Sequence, residues 1–237
     1  QINSNKLNKL IPVNYRDKEN YWFGISLRAR IIVYNENKVN KNDLNGYINL
    51  ADAKWLGKIL VRSSNVGSVI LAKKVGENLF KEFIEKTELT KNPKIELEEV
   101  GVPHQLKWNK CKLETISFGH GITTTPLQAT AIYAALSNGG NLIEPSLIKD
   151  RTIKKSKTII SKETSKQISS TLRKVVSSAE GTASLADKDG YYVGGKTGTA
   201  ESYGDKKNRI NTFISIFPSN SPKYTLFVML ENPNINK

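Results

Sequence analysis

The sequence predicts an α/β domain of the layered α+β kind, an antiparallel sheet covered by helices, and three observations carry that expectation. The last third holds strand-like runs at Thr212 to Phe217 and Tyr224 to Leu230, joined by Pro218-Ser219-Asn220-Ser221-Pro222-Lys223, which is a hairpin signature. Just ahead of them, β-prone Tyr191, Tyr192 and Val193 feed into Gly194-Gly195-Lys196-Thr197-Gly198-Thr199-Ala200, so Lys196 to Ala200 is expected on an extended segment. The middle of the chain repeats apolar residues at helical spacing, enough to cover such a sheet.

Length and composition narrow the class. The 237 residues suit one domain with a sizeable core. Residues 46–237 are expected to form it, with residues 1–45 an irregular segment belonging to a neighbouring region. No run approaches the roughly eighteen apolar residues of a membrane span, and the polar start from Gln1 to Lys6 is not a signal peptide. The net charge of +14 raises the question of an anionic partner. Its lysines are scattered among asparagines, with neither an aromatic-interleaved basic motif nor a Cys/His finger, so a solvated lysine-rich surface is expected and nucleic acid is not. Cys111 is the single cysteine, which excludes an intrachain disulfide. His104 and His120 are too few for a histidine-based metal site, and no cofactor is expected.

Taken in order, residues 1–49 read as polar and irregular, with an aromatic patch at Tyr21-Trp22-Phe23 and one strand from Ala29 to Tyr34. From Leu50 the helical period sets in through Ala53, Leu56, Leu60 and Val61, with Asp52 in the first turn, and runs into Arg62-Ser63-Ser64-Asn65. Val66, Val69 and Ile70, then Leu79, Phe80, Phe83 and Ile84, predict two more helical pieces divided at Gly76. A Ser-Asn turn between helices is ordinarily a cap. Residues 87–114 read as a loop-rich excursion. Thr125 then caps a helix with Pro126 at its first position, and Asn138-Gly139-Gly140 stops it. A further helix is capped near Ser161 and ends before Gly181. His120, between glycines, is expected to be a structural hydrogen-bonding residue rather than a base.

The Lys196 segment is where chemistry is expected. Gly195 and Gly198 lack a Cβ and let another backbone or a ligand lie close, so the strand can serve as a docking edge. Lys196 offers a fixed positive charge. Regular alternation puts the Thr197 and Thr199 hydroxyls on the opposite face, and twist at the glycines would turn all three toward one anion. The stretch from Gly190 to Thr197 also satisfies the phosphate-loop pattern G-x-x-x-x-G-K-[ST]. Its context argues against an NTPase, because Ala186-Asp187-Lys188-Asp189 precedes it in place of an apolar strand and no helical period follows Gly198.

Ser63-Ser64-Asn65-Val66-Gly67, Ser117-Phe118-Gly119-His120-Gly121 with Thr125-Pro126-Leu127-Gln128, Gly181-Thr182-Ala183 and Gly195-Lys196-Thr197-Gly198 occur in an order that resembles the penicillin-binding transpeptidases, in particular the class B enzymes of cell division, over about residues 46–233. The resemblance implies an enzyme that attacks the D-alanine carbonyl of a peptidoglycan stem peptide through an acyl-serine, and that β-lactam antibiotics inhibit. It assigns catalytic roles to Ser63, as proton relay, and to Lys196, as positive potential. It assigns substrate binding to Asn65, Thr197, Gly198 and Thr199, with the Thr199 N–H as an oxyanion donor. It implies a site on the periplasmic side of the inner membrane with the anchor outside this chain, and membrane proteins of cell division as partners.

One element of the family pattern is missing from its place. The nucleophilic Ser-x-x-Lys belongs before Ser63, yet the chain has this spacing only at Ser146-Leu147-Ile148-Lys149, after the Ser-Ser-Asn turn. The chain also stops soon after Leu230, where the family continues into a helix. The expectation is therefore a fragment, a chain with a segment missing, or a degenerate homologue, without transpeptidation by these residues alone. A pseudo-transpeptidase that keeps the groove for binding is the alternative.

Overall fold

The computed structural model describes residues 4–19, 21, 53–109, 111–149, 157–202 and 205–233. The chain divides into compact units at Gln1–Asp43 and Leu44–Lys237. In the first, a short helix α1 (Asn5–Leu10) forms where an irregular segment was expected, because Ser4 caps it by accepting from the Leu7 N–H at 3.3 Å. The strand expected from Ala29 to Tyr34 lies outside the described residues.

The second unit begins with α2 (Ala53–Val61), α3 (Asn65–Val75) and α4 (Glu77–Thr87), split at Gly76, whose φ of 89° few side chains tolerate. After the loop-rich excursion come α5 (Lys112–Ile116) and α6 (Pro126–Ser137). Thr125 caps α6 by accepting from the Gln128 N–H at 3.1 Å, and Gly139 and Gly140 end it with φ of 90° and 93°. A two-stranded ribbon, β1 (Asn141–Leu142) with β2 (Lys157–Thr158), leads to α7 (Lys162–Ser177), capped by Ser161.

The sheet follows: β3 (Gly194–Ser202), β4 (Asp205–Phe217) and β5 (Tyr224–Glu231), antiparallel and in the order β3-β4-β5. Tyr191 and Tyr192 do not extend β3. They sit in a turn, with the Tyr191 N–H donating to Lys188 O at 3.2 Å and Tyr192 in the left-handed region at φ 49°, so the strand starts at Gly194. Turn geometry outweighs their β propensity here. A phosphate loop is also excluded, since the residues after Lys196 stay in the strand instead of opening a helix.

Helix α7 lies on β3, α2 lies on α7, and α6 touches α7, β4 and β5. The core between α2, α7 and the sheet is Val61, Val175, Val176 and Ala183, with Val193 and Phe213 packed against it. Gly194 makes the close stacking possible: a Cβ there would stand 3.0 Å from the backbone nitrogen of Arg173. Gly195 would meet Ile214 O and the Phe213 ring at 2.7 Å, and Gly198 the Thr212 hydroxyl at 2.5 Å. The glycines of β3 thus admit the chain's own helix and neighbouring strand.

Candidate active site

The turn between α2 and α3 separates two serines that look equivalent in sequence. Ser64 is the cap: its hydroxyl accepts from the Gly67 N–H at 3.1 Å. Ser63 stands in the left-handed region at φ 52°, fixed by its N–H to Leu60 O at 3.1 Å, with its side chain exposed. Gly67 lets α3 approach α2, since a Cβ would fall 2.7 Å from Ile59 Cγ1. Ser64→Ala should therefore cost about 1 kcal/mol of stability, read as a lower denaturation midpoint, while leaving the Ser63 hydroxyl in place.

Across from this corner, Lys196 Nζ donates to Ser63 Oγ at 2.8 Å and to Thr197 O at 2.9 Å. The β3–β4 ladder stays in register from Gly194 to Glu201, with the irregularity only between Glu201 and Ser202. The lysine reaches the corner from a strand segment whose pairing register is unbroken. Burial lowers its pKa below the ordinary 10.5. The sign follows: at neutral pH the folded state holds a partly desolvated ammonium at a cost, which is relieved as pH rises toward the unfolded value. The Thr197 hydroxyl meets that of Thr182 at 3.1 Å. Arg173 secures the start of β3, donating to Val193 O at 2.8 Å while paired with Asp187 at 2.8 Å.

Ser63, Lys196 and Thr197 line one cleft of about 750 Å³. All six residues singled out by the sequence, Ser63, Asn65, Lys196, Thr197, Gly198 and Thr199, are on its wall. Ser117, Phe118 and His120 form part of another wall. His120, expected to be structural, is exposed there, and its ring stacks on Phe118 with centroids 6.4 Å apart. The glycines on either side, at φ 89° and 72°, were the available signal for a presented side chain. Tyr133 was missed. It lines the cleft from α6, with burial pushing its phenol up to about 12, so it stays a neutral hydrogen-bonding group. Among the described residues none of those lining the cleft is acidic, so Lys196 gives this wall a positive bias.

Ser146 is not part of this wall. Its hydroxyl is 2.6 Å from Glu96 Oε1 and its loop is held by the Leu147 N–H to Glu96 Oε2 at 3.0 Å. Among the described residues no group of three or more histidine, cysteine or acidic side chains could hold a metal, and no helix is long and apolar enough to cross a membrane.

The fold and cleft define an α+β domain in which a lysine-bearing sheet edge faces a serine-asparagine helix corner. The chain belongs to the penicillin binding protein transpeptidase domain family, which matches residues 33–237. It is 37% identical over 196 residues to stage V sporulation protein D of Bacillus subtilis, covering 74% of this chain and 30% of that protein. It is 30% identical over 201 residues to the probable peptidoglycan D,D-transpeptidase FtsI of Caulobacter vibrioides, covering 76% and 33%. Penicillin-binding protein 3 of Mycobacterium tuberculosis, solved with aztreonam, superposes with a TM-score of 0.71 at 25% identity, over 75% of this chain and 45% of that one. The chain thus spans about a third of the length of the curated relatives it matches.

Proposed function

We propose that this chain contributes the substrate-binding and proton-relay side of a serine-type peptidoglycan D,D-transpeptidase. The observation that carries the reading is the 2.8 Å contact between the Lys196 ammonium and the Ser63 hydroxyl, in a cleft whose described lining residues include no acid. Because Lys196 donates to the Ser63 oxygen, the Ser63 proton remains free to go to a departing amine, as a relay requires. Asn65, at the first turn of α3, hydrogen-bonds the donor peptide's amide. The Thr197 and Thr199 hydroxyls receive its terminal carboxylate, and the Thr199 N–H supplies one oxyanion donor. Gly198 lets Thr212 of β4 close against β3 and so holds the strand in place for that peptide, which lies along the free β3 edge by backbone hydrogen bonds.

By the same reading the substrate is a stem peptide ending in D-alanine, and β-lactams such as the aztreonam and ampicillin bound to penicillin-binding protein 3 of M. tuberculosis occupy the cleft as its mimics. The site works on the periplasmic side of the inner membrane alongside membrane proteins of cell division. Acyl transfer also needs a nucleophilic serine with a paired lysine, and in residues 1–237 that spacing occurs only at Ser146, whose hydroxyl is engaged by Glu96. For residues 1–237 taken by themselves the second reading is a binding module without acyl transfer. Incubating the 237-residue polypeptide with a fluorescent penicillin separates a missing nucleophile from an unrecognised one. No labelled band should survive denaturation, whereas a covalent band would mean that a serine in this chain is the nucleophile.

A further inference from the structure

We infer that Arg62 and Glu180 are positioning residues for the cleft: their ion pair ties the Ser63 corner to the loop behind β3 and so sets the contact between Ser63 and Lys196. The inference rests on the reading of Ser63 and Lys196 given above. Arg62 Nε donates to Glu180 Oε2 at 3.2 Å, and its terminal nitrogen lies 2.9 Å from Oε1, a two-pronged geometry that fixes direction as well as distance. Arg62 directly precedes Ser63, and Glu180 stands two residues before Thr182, whose hydroxyl meets Thr197 beside Lys196. Three side-chain links therefore close a circuit through the α2–α3 turn, the loop after α7, and β3: Arg62 to Glu180, Thr182 to Thr197, and Lys196 to Ser63.

Both ends of the pair are mounted on restrained backbone, so a restraint applied there is transmitted. On one side the N–H groups of Arg62, Ser63 and Ser64 donate to Lys58, Leu60 and Ile59 at 3.0, 3.1 and 2.9 Å. On the other, the Gly181 N–H donates to Ser178 O at 2.9 Å and the Ala183 N–H to Val175 O at 3.2 Å. The two side chains remain 60% and 49% exposed, and a pair that exposed adds little to overall stability. Its effect belongs in the geometry of the cleft, and added salt weakens it.

The test follows Lys196 itself in the 237-residue polypeptide. Trace acetylation with acetic anhydride between about pH 7 and 10, read by peptide mass spectrometry, reports the reactivity of each lysine amine. Losing the Ser63 acceptor destabilises the ammonium form and raises the amine's reactivity. Arg62→Gln and Glu180→Gln should each raise Lys196 labelling about threefold, with Lys58 and Lys223 unchanged and the melting temperature held. The charge-swapped Arg62→Glu/Glu180→Arg pair should restore the original rate, and about 1 M salt should reproduce the increase in the unmodified chain. Ser63→Ala is the reference. If it raises Lys196 labelling but Arg62→Gln does not, the positioning role is overturned and the cleft reading stands. If neither changes labelling, the contact between Ser63 and Lys196 falls, and both readings with it. A general rise at all lysines with a lower melting temperature also overturns the inference, since the pair would then only support the fold.

Discussion

Lys196→Ala is expected to slow acylation by a fluorescent penicillin at least about a hundredfold in a form of this protein that carries the nucleophilic serine, while the domain still folds. The magnitude is that of losing one group aimed at charge in an acyl-transfer site, roughly 3 kcal/mol of transition-state stabilisation. The fold should survive for two reasons. β3 is held to β4 by backbone pairing over Gly194 to Glu201, which the substitution leaves alone. The ammonium is also kept at a desolvation cost, so its removal leaves stability level or slightly higher. Rates of band labelling together with a melting curve check both halves. An unchanged rate would remove Lys196 from the site, and a collapsed melting curve would make it a structural residue.

Gly181→Ala carries the second large effect, on stability. A Cβ at Gly181 would stand 2.1 Å from Val175 O and 3.1 Å from Lys174 O, both backbone atoms at the end of α7. Neither can turn aside as a flexible side chain would. The helix end or the loop must move, at about 3 kcal/mol, or roughly 10 °C in melting temperature for a unit of this size. The same shift displaces Thr182 from Thr197 and Glu180 from Arg62. Ligand affinity should therefore fall even well below the melting transition. A melting temperature within a degree of the parent's would show that the loop yields freely.

Helices α2, α3, α4, α6 and α7 and the hairpin were legible in the sequence because each rests on a local rule, whereas the pairing of the Ser-Ser-Asn turn with the Lys-Thr-Gly strand was legible through the family resemblance. Thr125 with Pro126 marks α6, Ser161 marks α7, and the apolar runs around residues 212–230 mark the last two strands. The start of β3 was not, because Tyr191 and Tyr192 have strand-forming side chains and only the turn at Gly190, with φ 83°, overrides them. Ser63 and Ser64 could not be told apart by residue type. One takes the cap and the other is released to Lys196 by a left-handed backbone angle that no propensity encodes. The glycines of β3 were read as room for another backbone or a ligand, and it is the chain's own α7, Phe213 and Thr212 that fill it. Tyr133 escaped notice since, on an apolar helix, it looks like any core aromatic.

The most direct test of the proposed cleft is a crystal structure of residues 1–237 soaked with a peptide ending in D-alanyl-D-alanine. The account predicts the peptide along the outer edge of β3, its terminal carboxylate within hydrogen-bond reach of Thr197 and Thr199, and its amide on Asn65. A peptide bound elsewhere, or a cleft left empty at saturating peptide with Lys196 still on Ser63, would contradict it.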